Sequence, residues 1–311
     1  MLQRLDKCHA GRPMMECFDE RVRVEQGTKE LSPPVVKCQV AKKGGRASEI
    51  GWGVIGRLLT GLAVILGGGK VMAQSASNQH YEWVHYQQVD KAQLAQFDQY
   101  LEKALLPALN RQGISPVGVF EEVPADAAQA TTAIHLLLPL EQSQQVFQVV
   151  PKLAGDSQFL ETAAAYLNAD PKKPFYGRMR TEVLVAFDCM PKLKVPSQKA
   201  ERRDRLFELR TYESSNEKMG MLKVEMFNNG EVPIFLDCGI QPVFFGQALL
   251  GDRLPNLTYM TVYDNSAARD AAWIKFREHP EWKKLSGVEK YQGTVSKIHK
   301  TDLIPRPYSQ L

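Results

Sequence analysis

The chain has 311 residues, 44% of them hydrophobic, and a formal net charge of +4, which is material for two ordinary cores. That charge is uneven: residues 1–73 carry 12 Lys and Arg against 7 Asp and Glu, leaving 27 basic and 28 acidic residues in the remainder. A near-neutral body argues against a nucleic-acid groove, and the absence of any C-x-x-C pair among Cys8, Cys17, Cys38, Cys189 and Cys238 argues against a zinc ribbon or thioredoxin site.

Taken in chain order, the first readable segment is 54–76. Arg57 is followed by the apolar run Leu58 to Leu66 and then by Val71-Met-Ala73. A basic flank, a short apolar run and small residues at its end describe a secretory signal peptide, cleaved after Ala73 or Ala76. The run falls short of the roughly 20 apolar residues that span a bilayer, so no stable membrane span is expected after cleavage. The protein is expected to be periplasmic or secreted. Residues 1–53 are expected to be an extension, either upstream of the true start or a disordered tail. Gly67-Gly-Gly-Lys70 lacks both the spacing of a phosphate loop and the Ser or Thr after the lysine. In an exported body, Cys189 and Cys238 could pair or remain half-buried free thiols.

Beyond the leader the chain repeats itself. Tyr81-Glu-Trp-Val-His-Tyr86 and Phe207-Glu-Leu-Arg-Thr-Tyr212 stand 126 residues apart. The same offset carries Pro107, Gly113 and Pro116 onto Pro233, Gly239 and Pro242, and Thr132 onto Thr258. Three matches in one ungapped register define two copies of one unit, 77–190 and 206–311, joined by a charged linker at 191–205.

Each copy opens with a strand of period two. A helix follows in the first copy, capped by Asp90, with Leu94, Phe97, Leu101, Leu105 and Leu109 at helical spacing before Gly113. The second copy offers Ser214 or Asn216 as the cap, then Met219, Leu222 and Met226 before Gly239. Pro107 and Pro233 should interrupt both helices at the same point. Second strands are expected at 116–120 and 242–246, and third strands at 132–138 and 257–263. A second helix runs from Ser143, and from Ser266 through Trp273 and Phe276 toward Leu285; His279 reads as a helix-end histidine. Fourth strands are expected at 176–185 and 291–298, where the offset falls to 115 because of an insertion near 154–174. The order β-α-β-β-α-β is the α+β, ferredoxin-like plan, with both helices on one sheet face. Two such units can bury their bare faces together and close a barrel.

The alternation also assigns faces. With Phe207 and Leu209 packed on helices, Glu208, Arg210 and Tyr212 point into the barrel, and Glu82 and Tyr86 join them from the first copy. On the third strand Tyr259, Thr261 and Tyr263 point inward, and His135 is placed as the equivalent of Thr261. Such a lumen could grip a small acid, a phenol or a cofactor, with Arg210 clamping a carboxylate and His135 serving as a base or as an axial ligand to haem iron. The alternative is that Glu208 and Arg210 pair, tyrosine hydroxyls satisfy them, and the lumen is filled. No metal site is expected.

The second copy reads FELRTY, GEVPIF, GIQPVFFGQ, GDRLPNLTYM, HPEWKKL and YQGTVSKI in order, and over about 205–300 it resembles the NIPSNAP family. The first copy, about 79–187, keeps the frame and loses the PNLTYM and HPEW phrases, so it is similar to a diverged domain of that kind. The resemblance implies a dimeric α/β-barrel fold, here made intramolecularly from tandem domains, and carries no agreed catalytic residues. Three readings stay open: an exported non-catalytic protein that binds a small molecule or protein partner, a barrel enzyme of the monooxygenase, haem-dependent or isomerase kind, and a structural or interaction module. A homo-oligomer is compatible with all three.

Overall fold

The structure, a computed structural model, describes residues 78–124, 128–197 and 205–311. The expected extension, the signal segment and the middle of the linker lie outside the described residues. The first repeat runs β1 (His80–Asp90), α1 (Leu94–Gln99), a π-helical turn (Tyr100–Leu105), α2 (Leu106–Arg111), β2 (Gly118–Glu122), β3 (Thr131–Leu140), α3 (Val149–Ala154), α4 (Ser157–Thr162), α5 (Ala164–Leu167) and β4 (Arg178–Ala186). The second runs β5 (Leu206–Glu213), α6 (Glu217–Met226), a π-helical turn (Phe227–Glu231), α7 (Val232–Asp237), β6 (Gln241–Leu250), β7 (Asn256–Tyr263), α8 (Ser266–Glu278), α9 (Pro280–Ser286) and β8 (Lys297–Pro305).

Local chemistry explains the helix boundaries. Pro107 and Pro233 sit in the first turn of α2 and α7. A proline offers no N–H to the preceding turn; in the first repeat that turn widens to π geometry, whereas in the second the helix kinks at Gly230, whose φ of 173° and ψ of −21° are not helical. Gly113 and Gly239, at φ 78° and 83°, end the helices in the left-handed region open to glycine. Asn216 caps α6 by accepting from the Met219 N–H at 3.1 Å. His279 ends α8, and its Nδ1 accepts from the Glu281 N–H at 3.3 Å to start α9. Asp90 is not a helix cap. It closes β1 and accepts from the Ala92 N–H at 2.9 Å, while α1 begins at Leu94 without a side-chain cap.

The eight strands form a closed barrel in the order β1-β3-β2-β8-β5-β7-β6-β4, antiparallel at every pairing. Each repeat contributes one ferredoxin-like sheet, and the two meet at β2–β8 and β4–β6. The fourth strand of the second repeat starts at Lys297, and Tyr291 lies in a short helical turn before it.

The lumen is an apolar core drawn from every strand. Tyr81, Trp83, Phe120, Leu137, Leu184, Phe207, Leu209, Phe244, Met260, Val262 and Leu303 pack there. Two separate cores lie between the sheets and their helices, one per repeat. Phe207 and Leu209 therefore face the lumen, contrary to the expectation from sequence, and so do Met260 and Val262. Glu208, Arg210, Tyr212, Tyr259 and Tyr263 lie on the other strand face, beneath the helices. Glu82 and Tyr86 follow them, Tyr86 packing against Phe97 and Tyr176 at 5.1 and 4.9 Å between ring centres. The period was right and the sign inverted: both strand faces are buried in a helix-covered barrel, so alternation cannot say which is inside.

His135 does face the lumen, but not as the equivalent of Thr261. It pairs with His85, and Thr258 pairs with Thr211, the residue 126 positions after His85. Thr258 is thus the counterpart of His135 and not, as a uniform offset of 126 implies, of Thr132. The connection between second and third strands spans 123–130 in the first repeat and 251–255 in the second; this odd change in length reverses the parity of the strand that follows. Cys189 is exposed, Cys238 is buried, and both are free thiols. No helix among the described residues is long and apolar enough to cross a membrane.

Candidate functional site

On the outer face of β5, Glu208, Arg210 and Tyr212 follow one another at every second residue and meet α8 from below. Arg210 donates through Nε to the Tyr212 hydroxyl at 3.2 Å and through Nη1 to both Glu208 oxygens at 3.3 Å. The Tyr212 hydroxyl meets that of Tyr259 at 2.8 Å. From α8, the Trp273 Nε1–H donates to Glu208 Oε2 at 2.8 Å, and the indole lies flat enough against Arg210 to bring its guanidinium carbon within 4.1 Å of the ring centre, a cation–π contact. Nη2 of Arg210 has no hydrogen-bond partner among the described residues.

This network forms the floor of a cleft of about 1020 Å³ beside the second repeat's sheet and helices, which Glu122, Val123 and Pro124 of the first repeat also line, at the upper end of ligand-pocket volumes. Trp273, Phe276 and Trp282 form its aromatic wall. Lys223 and Glu231 also line it, 4% and 2% exposed, with Lys223 Nζ donating to Glu231 Oε2 at 2.7 Å. At the rim Arg269 is taken up by Asp302 and Asp270. Lys300, the cross-strand neighbour of Arg210, and Arg277 have no carboxylate partner among the described residues.

Burial opposes the charge on Arg210, yet Tyr259, Tyr212 and Glu208 together hold it protonated above its ordinary value. Burial pushes the Tyr212 and Tyr259 hydroxyls up, so both keep their protons. Burial likewise raises the Glu231 carboxyl, against the pull of Lys223. The floor thus presents a fixed cation, neutral hydroxyls and a buried ion pair, a set suited to binding an acid.

Residues 207–310 match the model of the NIPSNAP family. They are a NIPSNAP domain. No curated protein matches the sequence. Among solved structures, a candidate monooxygenase from Fusobacterium nucleatum is similar over 74% of this chain and 93% of its own, at 8% identity and a TM-score of 0.49. An uncharacterised NIPSNAP-like domain protein from Burkholderia xenovorans is similar over 33% of this chain and 87% of its own, at 14% identity and a TM-score of 0.31. A chlorite dismutase variant from Candidatus Nitrospira defluvii is similar over 75% and 92%, at 7% identity and a TM-score of 0.42.

The cleft floor belongs to the NIPSNAP domain at 207–310, whereas the first repeat fills the same space. At the offset of 126, Val84 stands for Arg210, Phe97 for Lys223 and Leu105 for Glu231, and all three are buried in an apolar core. Of the residues expected from sequence, Glu208, Arg210, Tyr212 and Tyr259 come together. Glu82 lies on the first repeat's helix-facing side, accepting from Thr181 at 3.0 Å. His135 is enclosed in the lumen 5.6 Å from Trp83 and 5.0 Å from His85 between ring centres; it does not line the cleft, but its partner Glu122 does. Reading the sequence for face alone missed Lys223, Glu231 and Trp273. The signal that could have found the first two was their exchange for Phe97 and Leu105 between otherwise matching repeats.

Proposed function

We propose that this is an exported, non-catalytic binding protein whose NIPSNAP domain takes a small carboxylic acid with an aromatic or apolar body in the cleft beside its sheet and helices. The observation that carries the reading is Arg210: Glu208, Tyr212 and Trp273 fix its guanidinium, and Nη2 is left over for a ligand. A carboxylate on that edge would be held by charge-assisted hydrogen bonds, while Trp273, Phe276 and Trp282 cover its body. Each carboxylate on the floor is already engaged by a cation and both tyrosines keep their protons, which favours holding a ligand over proton transfer. Export is supported by the apolar run 58–66 and Val71-Met-Ala73, and N-terminal sequencing of the mature protein tests it.

The binding test is a thermal shift and calorimetric titration with benzoate and phenylacetate. Native protein should be stabilised by at least one, and Arg210→Met should weaken binding roughly 10- to 100-fold, the worth of a hydrogen bond to a charged group. No stabilisation by any carboxylate, or undiminished binding by the variant, would overturn the reading.

A further inference from the structure

Lys223 lies in α6 and Glu231 ends the turn that follows it, kinked at Gly230, so that residues eight apart in sequence come into a 2.7 Å contact. In the first repeat the matching positions are Phe97 in α1 and Leu105 at the end of its π-helical turn, 0% and 6% exposed, and neither forms an ion pair. Burying two charges costs desolvation that a well-packed apolar pair avoids, so helix packing does not call for Lys223 and Glu231. Both open onto the cleft. Lys223 Nζ stands 4.6 Å from the Phe227 ring centre, 5.6 Å from Trp282 and 5.8 Å from Tyr212. The Arg210 guanidinium carbon lies 5.6 Å from the same Tyr212 ring. Both cations lie within 5.8 Å of the centre of one tyrosine ring, so no more than 11.4 Å apart, within reach of the two ends of one substituted aromatic ring and their hydrogen bonds.

The chemistry at the far end differs from that at Arg210. Lys223 offers a donor, and Glu231 Oε1, which has no hydrogen-bond partner among the described residues, offers an acceptor beside it. A second carboxylate would meet the charge of Glu231, and an amine would meet the charge of Lys223. A hydroxyl accepts and donates at once and fits both. Resting on the acid reading given above, we infer that the cleft selects a hydroxy-substituted aromatic acid, with its carboxylate on Arg210 and its hydroxyl between Lys223 and Glu231.

Calorimetric titration of the whole protein with benzoate, 3-hydroxybenzoate and 4-hydroxybenzoate tests this. At least one hydroxy isomer should bind about tenfold or more tighter than benzoate, because a site built around a hydroxyl penalises its absence. The double variant Lys223→Met with Glu231→Leu, which approximates the apolar pair of the first repeat, should erase that preference and leave benzoate within about threefold of native. Equal binding of all three acids by native protein overturns the inference while the acid reading survives, as does a preference that persists in the double variant. Failure of all three to bind overturns both. The isomer comparison on native protein stands whether or not the variant folds.

Discussion

The Arg210 guanidinium carbon lies 4.1 Å from the centre of the Trp273 ring, and the same indole donates its N–H to Glu208. One residue of α8 therefore holds both members of a strand ion pair that is itself less than a tenth exposed. The helix and the charge pair position each other, which is how a flexible arginine becomes a fixed donor.

Trp273→Phe keeps a ring beside Arg210 but takes a donor away from Glu208 Oε2. Urea unfolding should show a loss of about 1.5–3 kcal/mol, the worth of a hydrogen bond to a charged group, with Arg210 Nη1 still donating to that oxygen. Trp273→Ala should lose about 3–5 kcal/mol by adding a cavity. Equal losses would mean that ring packing contributes nothing and the hydrogen bond everything.

Lys223→Met alone strands a buried carboxylate and should cost about 3–5 kcal/mol near neutral pH, whereas the double variant with Glu231→Leu should recover most of it. The pH dependence has a definite sign. Burial raises the folded-state pKa of Glu231, so its contribution is present below the unfolded value and is lost as pH rises through the folded one. Without Lys223 to oppose burial the loss should deepen: the single variant should approach native stability in acid and fall behind as pH rises. A pH-independent deficit would refute this account.

His135 tests the lumen. Burial lowers its pKa, against the hydrogen bond to Glu122, so at neutral pH a neutral ring donates Nε2–H to Glu122 Oε2 at 3.4 Å. A lowered base contributes stability that is present above its unfolded value of 6.5 and is lost as pH falls through its folded value. Glu122, held low chiefly by that same hydrogen bond, adds loss in the same direction at lower pH. His135→Gln should flatten the fall in the urea midpoint below pH 6.5; an unchanged slope would assign it to another group.

The lumen core takes side chains from all eight strands, so neither repeat has a complete core alone. Trp83→Ala, which empties a fully buried site, should cost about 3–5 kcal/mol and lower one shared transition. Circular dichroism and near-ultraviolet signals should stay coincident; two separated transitions would show that the repeats fold independently.

The duplication, the order of elements, the cap at Asn216, the helix end at His279 and the proline interruptions were legible in sequence because each rests on local spacing or on the stereochemistry of a single residue. The Glu208–Arg210 pair was legible too, since side chains two apart on a strand share a face. Which face that was could not be read. In a soluble two-layer sheet one face meets water and polarity identifies it, but here the lumen lies on one side and the helices on the other, and both are buried. Residues 207–212 alternate in the same way whichever side is inside. Lys223 and Glu231 stayed hidden for a related reason: a charged pair on a helix reads as a solvated surface until tertiary packing closes over it. The sequence by itself determined two copies of a β-α-β-β-α-β unit and the period of every strand. Only the tertiary structure decided that aromatic and aliphatic side chains fill the barrel and that the polar face lies under the second repeat's helices, because that choice depends on contacts between residues far apart in the chain.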